Sequence, residues 1–191
     1  MNNKKLTGII LAGGKSSRFK SPKYLAKLGG QTLLETAISK LKPLCDELIV
    51  VSKEKIDIKV KNVVETDKDF HPLIGIKEGL KESSNEDNLV MASDMPFVSK
   101  EMFLSLLKSK AEVCVYRYKG RVEPLLGLYR KSCLPSIAGF KDKRVIEVLE
   151  KCDSQYIDEQ DDNLVFFNIN TKEDLDEAER IVKDDPEILS Y

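Results

Sequence analysis

The stretch that decides the fold is residues 6–23, which reads LTGIILAGGKSSRFKSPK. Its first six residues form a continuous apolar run, as expected of a strand that is buried on both faces of a parallel sheet. The glycine pair Gly13-Gly14 follows at once, and the loop then carries Arg18 and Lys23. Such a loop leaves the sheet at its carboxyl edge, where α/β folds bind ligands, and glycines let backbone N–H groups surround an anion. We therefore predict a polyanion site after the first strand.

Apolar strand patterns alternate with amphipathic helix patterns from this strand as far as Ala111. The further strands predicted in this part of the chain are 48–51, 60–64 and 88–92. The predicted helices follow a Thr32 cap, begin at Pro72 and follow a Ser99 cap. This alternation is typical of a mainly parallel sheet whose strands are joined by right-handed crossovers.

The pattern changes after Ala111. Apolar residues on either side of Gly120 predict a β-hairpin of two strands, 113–118 and 122–129. Beyond the hairpin, the pattern predicts two short helices, a strand and a last helix, at 132–140, 144–151, 163–167 and 172–182. The tail from Asp184 onward is expected to fray. Because the sequence contains neither a linker nor a repeat, we expect residues 1–191 to form a single domain.

Composition excludes several classes of function. The 191 residues include 31 Lys plus Arg and 32 Asp plus Glu, a net charge of −1, whereas a general nucleic-acid-binding protein needs a basic excess. The four cysteines lack CxxC spacing, so we expect buried thiols in a reducing compartment rather than a zinc ribbon. No apolar run is long enough to span a membrane. We therefore predict a soluble, cytoplasmic protein that binds neither nucleic acid nor membranes.

Two well-known phosphate-binding loops do not fit the glycine loop. A Walker A loop that ends at Lys15-Ser16 requires glycine at position 9, which is Ile9 here. The dinucleotide pattern GxGxxG is absent because the two glycines are adjacent. Taken alone, the loop is also compatible with a simple Gly-Gly turn that carries solvated Lys and Arg side chains.

A larger set of motifs carries a specific resemblance. The segment LAGGKSSRFKSPKYLAKLGGQTLLE resembles the signature of the nucleotidyltransferases that include molybdenum cofactor guanylyltransferase. Later family motifs occur in the same order: VVETD at 63–67, HPLIGI at 71–76, VMASDMP at 90–96, EP at 123–124 and NINTKEDL at 168–175. The resemblance covers residues 6–180. It implies an α/β fold, a three-layer sandwich with a mostly parallel, Rossmann-like sheet of the nucleotide-diphospho-sugar transferase type.

The reaction that the resemblance implies is nucleotidyl transfer from GTP to molybdopterin, with or without molybdenum. A phosphate oxygen of the acceptor would attack the α-phosphorus of GTP, and pyrophosphate would leave. Such chemistry depends on positioning and on neutralising charge, and an acceptor phosphate is already ionised, so no general base is needed. Accordingly, His71, the only histidine in the sequence, is interpreted as a residue beside a helix start.

The resemblance also assigns roles to individual residues. Asp94, after a predicted strand, would hold Mg²⁺ on the triphosphate, because Mg²⁺ prefers oxygen ligands such as carboxylates. Lys23 would bind phosphate and Arg18 would neutralise the departing pyrophosphate, so these three residues are the predicted catalytic set. Asn168 and Asn170 would face the acceptor. The residues assigned to nucleotide binding are Leu11, Ala12, Gly13, Gly14, Lys23, Ser52, Asp67 and Asp94.

Organisation and partners follow from the same resemblance. Residues 6–110 would form the nucleotide-binding half of the domain, and residues 111–183 the acceptor-binding half. Besides GTP and molybdopterin, the implied partners are a molybdopterin-loading enzyme upstream and molybdoenzyme chaperones downstream.

The chain departs from the family pattern at several positions. Lys20 stands where the family usually has glycine, Pro22 where guanylyl enzymes often have aspartate, and Ser52 where they often have asparagine. Ser-Pro-Lys looks more like cytidylyl or sugar nucleotidyl relatives, whereas Gly13 is similar to the guanylyl motif and leaves room for a purine. We favour GTP. The alternative is a molybdopterin cytidylyltransferase or a sugar-phosphate nucleotidyltransferase, and alternatives of other classes are a non-catalytic nucleotide-binding adaptor and a structural interaction protein.

Overall fold

The computed structural model describes residues 5–13, 19, 22–67, 69, 71–139, 144–161 and 164–189. The strands among these residues are β1 (Leu6–Leu11), β2 (Lys27–Leu28), β3 (Gln31–Thr32), β4 (Glu47–Ser52), β5 (Lys61–Val64), β6 (Asp87–Ala92), β7 (Val113–Tyr118), β8 (Arg121–Arg130) and β9 (Ser154–Glu159). A seven-stranded sheet has the order β5-β4-β1-β6-β8-β7-β9, while β2 and β3 form a separate hairpin. One sheet therefore contains strands from both halves of the chain.

The central sheet is mostly parallel, as predicted. β1 pairs in parallel with β4 and with β6, and β4 pairs in parallel with β5. β8 runs antiparallel to both of its neighbours, β6 and β7, and β9 is parallel to β7. The β7–β8 hairpin turns at Lys119-Gly120, where both residues have positive φ angles of 47° and 80°, as a two-residue hairpin turn requires.

The helices begin at recognisable caps. Their bounds are α1 (Leu33–Leu41), α2 (Pro72–Glu82), α3 (Lys100–Leu106), α4 (Leu134–Ala138), α5 (Val145–Leu149) and α6 (Lys172–Asp184). At α1, the Thr32 hydroxyl accepts the Glu35 N–H while the Glu35 carboxylate accepts the Thr32 N–H, which satisfies two backbone donors. At α2, His71 Nδ1 accepts the Leu73 N–H at 3.2 Å. His71 therefore lies beside a helix start, as predicted.

Helices cover both faces of the sheet and produce three layers. Successive side chains of a strand point to opposite faces, and both Ile9 and Ile10 are fully buried. Ile10 packs in a cluster with α1 and α3, whereas Ile9 packs in a second cluster with α2, α4 and α5. A third cluster joins α6 to β2 and includes Phe97 and Ile169. The predicted α/β sandwich is confirmed.

The prediction of a strand at 163–167 is wrong for the residues described there. Leu164–Phe166 form a 3₁₀ turn, and the last strand is β9, which begins nine residues before the predicted start. β9 is an edge strand that reads SQYIDE and is only half-buried, so its polar residues conceal it from a search for apolar runs. Val165 and Phe166 are instead buried in the cluster on the α1 and α3 face, which explains their apolar character.

The carboxyl-terminal residues are more ordered than predicted. α6 continues to Asp184, and Pro186–Leu189 form a 3₁₀ turn whose Ile188 and Leu189 pack on the α6 cluster. The expectation of fraying from Asp184 is therefore wrong as far as Leu189. Among the described residues, no helix is long and apolar enough to span a membrane.

Candidate functional site

A cleft opens at the carboxyl edge of the sheet. It lies there because β1 and β6 pair in parallel up to Leu11 and Ala92, so the segments that follow both strands leave the same edge. The cleft is lined by the end of β1 (11–13), Lys23, Tyr24, Lys53, Glu65, the start of α2 (71, 72 and 75), the end of β6 (92–94) and Leu125 of β8. The position agrees with the ligand sites of open parallel sheets.

Asp94 forms an ion pair with Lys23 in this cleft. The Lys23 ammonium donates to Asp94 Oδ2. The Lys23 side chain is only 19% exposed and the Asp94 side chain only 17%. The second carboxylate oxygen, Asp94 Oδ1, is buried and has no hydrogen-bond partner among the described residues. Because an unsatisfied buried acceptor costs free energy, this oxygen is suited to a cation or donor that arrives with a ligand.

The segment from Asn168 to Asn170 lies against the same pair. The Ile169 N–H donates to the Asp94 carbonyl at 2.9 Å, and Lys23 Nζ donates to Asn170 Oδ1 at 3.3 Å. The Asn168 side chain donates to the Phe166 carbonyl at 3.1 Å, so it is engaged within the chain. The fold thus brings together three predicted site residues that are far apart in the sequence: Lys23, Asp94 and Asn170.

Asp174 fixes this segment from the first turn of α6. Its carboxylate accepts the N–H groups of Asn170 at 2.7 Å and Thr171 at 2.8 Å. Burial raises the pKa of Asp174, but the hydrogen bonds from Asn170 and Thr171 and the charge of Lys23 outweigh it, so the pKa lies below its ordinary value. Asp174 therefore stays ionised and holds the Asn170 backbone beside Lys23.

A second ion pair, between Lys53 and Glu65, lines the cleft. Lys53 Nζ lies 2.6 Å from Glu65 Oε2, and the Glu65 side chain is only 8% exposed. Lys53 also donates to the carbonyls of Asp67 at 3.0 Å and Asp69 at 2.7 Å. No role was assigned to either residue from the sequence, although β5 ends at Val64. Because Glu65 is the first residue after that strand, the rule that selected Asp94 could also have selected it.

The structure does not bring every predicted nucleotide contact to the cleft. Ser52 is fully buried, and its hydroxyl donates to the Glu54 carbonyl at 2.6 Å and accepts from Asn62 Nδ2 at 2.8 Å. Asp67 is exposed, and its carboxylate accepts the Asp69 N–H at 3.0 Å. Neither residue lines the cleft. The predictions for Gly14 and Arg18, and the departure at Lys20, lie outside the described residues.

Glu123 of the EP motif contributes a carboxyl group on the β8 side. It stands two residues before Leu125 on the strand, and Leu125 lines the cleft. The pKa of Glu123 lies above its ordinary value. Burial raises it most, the charge of Arg121 lowers it, and the charge of Asp94 raises it further. The second half of the chain therefore places an acidic group within electrostatic range of Asp94.

The arrangement fits a metal ion that enters with a ligand. The described residues include no group of three or more His, Cys, Asp or Glu side chains that could chelate a metal without help. Mg²⁺ is usually bound by one or two carboxylates together with substrate phosphates. The unpartnered Asp94 Oδ1 offers one such ligand beside the Lys23 ammonium, which can pair with a phosphate.

A lysine and a hard carboxylate oxygen at the carboxyl edge of a parallel sheet are typical of the class of α/β proteins that bind phosphate-containing ligands. Comparison with known proteins narrows this class. The chain belongs to the family described as the MobA-like NTP transferase domain, whose model matches residues 8–157. The family resemblance found in the sequence is confirmed.

Individual relatives agree with this assignment. A protein of Natranaerobius thermophilus named "Probable molybdenum cofactor guanylyltransferase" is 34% identical, and the alignment covers 92% of this chain and 95% of the relative. The crystal structure of molybdopterin-guanine dinucleotide biosynthesis protein A from Archaeoglobus fulgidus shares the fold, with a TM-score of 0.78, 23% identity and coverage of 93% and 99%. The 4-diphosphocytidyl-2C-methyl-D-erythritol synthase of Anaerococcus prevotii also shares it, with a TM-score of 0.70, 19% identity and coverage of 94% and 96%.

Proposed function

We propose that this protein is a molybdenum cofactor guanylyltransferase, which transfers GMP from GTP to molybdopterin and releases pyrophosphate. The observation that carries the proposal is the meeting of Lys23 and Asp94 in the cleft beside the end of β1, where Lys23 also donates a hydrogen bond to Asn170. The family membership and the names of the relatives support this activity. The fold alone does not determine which nucleotide base is bound, since a cytidylyl enzyme shares the fold.

The reaction exchanges one phosphoanhydride bond for another. An oxygen of the molybdopterin phosphate attacks the α-phosphorus of GTP, the bond between that phosphorus and the oxygen bridging to the β-phosphorus breaks, and pyrophosphate carries away the charge. Lys23 exchanges its Asp94 partner for a phosphate oxygen, which a point-charge ammonium does readily. Mg²⁺ held by Asp94 would neutralise negative charge on the triphosphate. Arg18 is proposed to assist with the departing pyrophosphate.

Each half of the domain has its own role in this proposal. The nucleotide-binding half, residues 6–110, supplies the β1 wall of Leu11, Ala12 and Gly13 together with the ends of the neighbouring strands. The acceptor-binding half, residues 111–183, supplies Asn168, Asn170 and the part of β8 that lines the cleft. Asn170 contacts Lys23, so the acceptor side reaches the position where the phosphates would meet.

The cellular setting follows from the same proposal. The cysteines among the described residues are free thiols, which suits a reducing compartment such as the cytoplasm. The protein partners that we propose are an enzyme that loads molybdopterin with metal and chaperones that pass the finished cofactor to molybdoenzymes.

The proposal is tested by supplying purified protein with Mg²⁺, molybdopterin and each of GTP, CTP, UTP and ATP. Pyrophosphate release and the mass of the product are measured together. We expect release with GTP and a product that contains GMP and molybdopterin. A product with CMP would assign the protein to the cytidylyl branch, and turnover on a sugar phosphate would assign it to the sugar branch. Binding of a triphosphate without turnover on either acceptor would support an adaptor.

A further inference from the structure

We propose that Glu65, supported by Lys53, recognises the guanine base and selects GTP over other triphosphates. This inference rests on the proposed function, because it names the residue that supplies the base selectivity of that reaction. It replaces Asp67, which was predicted to contact the nucleotide, with a carboxylate that lines the cleft.

The first observation is the position of the Glu65 carboxylate. A Cβ atom at Gly13 would lie 3.3 Å from Glu65 Oε1, and a Cβ atom at Gly75 would lie 3.0 Å from the same oxygen. The carboxylate therefore sits between the glycine loop after β1 and the first turns of α2. Because neither glycine carries a side chain, the carboxylate fits against both backbones, and it lines the cleft together with Gly13 and Gly75.

The second observation is that the carboxylate is held in place. Lys53 Nζ lies 2.6 Å from Glu65 Oε2, and Lys53 is itself held by the carbonyls of Asp67 and Asp69. The Glu65 N–H donates to the Ser52 carbonyl at 2.8 Å, which extends the pairing of β4 and β5 by one residue. The backbone and the carboxylate of Glu65 are thus both held in place, and a group that recognises a base by hydrogen bonds needs such a fixed position.

The third step is chemical complementarity. Guanine presents the N1–H and N2–H₂ donors next to the O6 acceptor on its Watson–Crick edge. A carboxylate accepts both donors, and the adjacent Lys53 ammonium donates to O6. Adenine would instead place the N1 lone pair against the carboxylate, and cytosine would place its N3 and O2 lone pairs there. These bases are rejected because their lone pairs repel those of the carboxylate. The carboxylate would also be desolvated without gaining hydrogen-bond donors from the base.

The contrast with Asp67 supports this choice of carboxylate. Asp67 is exposed, and its side chain accepts a hydrogen bond from the N–H of Asp69. Its carbonyl is occupied by Lys53. Asp67 therefore contributes to the loop that holds Lys53, whereas Glu65 faces the cleft.

The test uses the variant Glu65→Gln and a xanthine nucleotide. Xanthine carries a carbonyl in place of the 2-amino group of guanine, so a glutamine amide can donate to it while the amide oxygen still accepts N1–H. We expect the ratio of kcat/KM for GTP to that for XTP to fall by about 10- to 100-fold in this variant, the discrimination typical of one bidentate pair. Glu78→Gln is the matched control, because Glu78 is also paired with lysines but does not line the cleft.

A second measurement needs no substitution. The unaltered protein is assayed with GTP, with ITP, which lacks the 2-amino donor, and with 1-methyl-GTP, which lacks the N1 donor. We expect kcat/KM to fall in that order. Equal use of 1-methyl-GTP and GTP would overturn the inference even if the Glu65→Gln protein failed to fold.

The outcomes separate this inference from the proposed function. If the unaltered protein prefers GTP but Glu65→Gln keeps the same GTP-to-XTP ratio, or loses both nucleotides equally, Glu65 is only a structural support and the inference fails alone. If the unaltered protein prefers another triphosphate, the proposed function fails and guanine recognition fails with it. A fall in the GTP-to-XTP ratio of Glu65→Gln, in a protein that prefers GTP when unaltered and with Glu78→Gln unchanged, supports both.

Discussion

Two lysine–carboxylate pairs line the same cleft, and their surroundings differ. In the pair of Lys23 and Asp94, one carboxylate oxygen is bonded to the ammonium and the other is buried without a partner among the described residues. In the pair of Lys53 and Glu65, the ammonium is also bonded to two backbone carbonyls, and the carboxylate is packed between two glycines.

This difference indicates different roles for the two pairs. A pair with an unsatisfied oxygen gains hydrogen bonds or metal coordination when a charged ligand enters, so its members can change partners. A pair whose ammonium is fixed by the backbone keeps one geometry, which favours recognition of a defined shape. We therefore place the reacting phosphates beside Lys23 and Asp94, and the base beside Lys53 and Glu65.

The largest expected effect is that of Asp94→Ala on turnover. The substitution removes the carboxylate that we propose to hold Mg²⁺ on the triphosphate, and stabilisation of that charge contributes several kcal/mol. We expect kcat/KM to fall by about 1,000-fold or more while the protein remains folded, as measured by pyrophosphate release and circular dichroism. Asp158→Ala is the control, because Asp158 belongs to an exposed ion pair on β9. Near-normal activity of Asp94→Ala at limiting Mg²⁺ would contradict the metal assignment.

Lys23→Ala is expected to have a smaller effect, confined to phosphate binding. In the proposed reaction Lys23 supplies a positive charge to phosphate oxygens, and one charge-assisted hydrogen bond contributes about 1.5–3 kcal/mol. The Kd for GTP should therefore rise by about 10- to 100-fold in calorimetric titrations, while the Kd for guanosine changes little. Lys81→Ala, which removes an exposed lysine paired with Glu78, should leave both values unchanged. Equal losses for GTP and guanosine would assign Lys23 to folding or to the base.

The sequence predicted the nucleotide-binding half of the fold better than the other half. β1 and β6 are buried throughout most of their length, so each appears in the sequence as a continuous apolar run. β9 is a half-buried edge strand with several polar residues and no such run. Edge strands and core-covering turns such as Leu164–Phe166 depend on packing partners that are distant in the chain, and local patterns do not contain that information.

The candidate site shows the same limit. Lys23 and Asp94 were predicted separately from their motifs, but their ion pair joins residues 71 positions apart and follows only from the sheet topology. Ser52 was assigned to nucleotide binding through the family resemblance, yet Asn62 on the next strand engages its hydroxyl. Glu65 was overlooked because the family motif assigned the nucleotide contact to Asp67, although the strand predicted at 60–64 already ended just before Glu65.

The smallest expected effect concerns stability, and it compares Lys53 directly with an exposed lysine. Lys53→Met leaves the nearly buried Glu65 carboxylate without its cation, so we expect the free energy of unfolding to fall by about 1–3 kcal/mol. Lys61→Met removes a lysine whose pair with Glu82 is 44% and 49% exposed, and such pairs contribute about 0.2–1 kcal/mol. Urea denaturation of both variants measures the difference. The double variant Lys53→Met/Glu65→Gln should regain part of the loss, because it removes the uncompensated charge. Equal and small losses for Lys53→Met and Lys61→Met would mean that the Lys53–Glu65 pair contributes no more to stability than a surface pair. The distinction between the two pairs in the cleft would then have to rest on ligand binding alone.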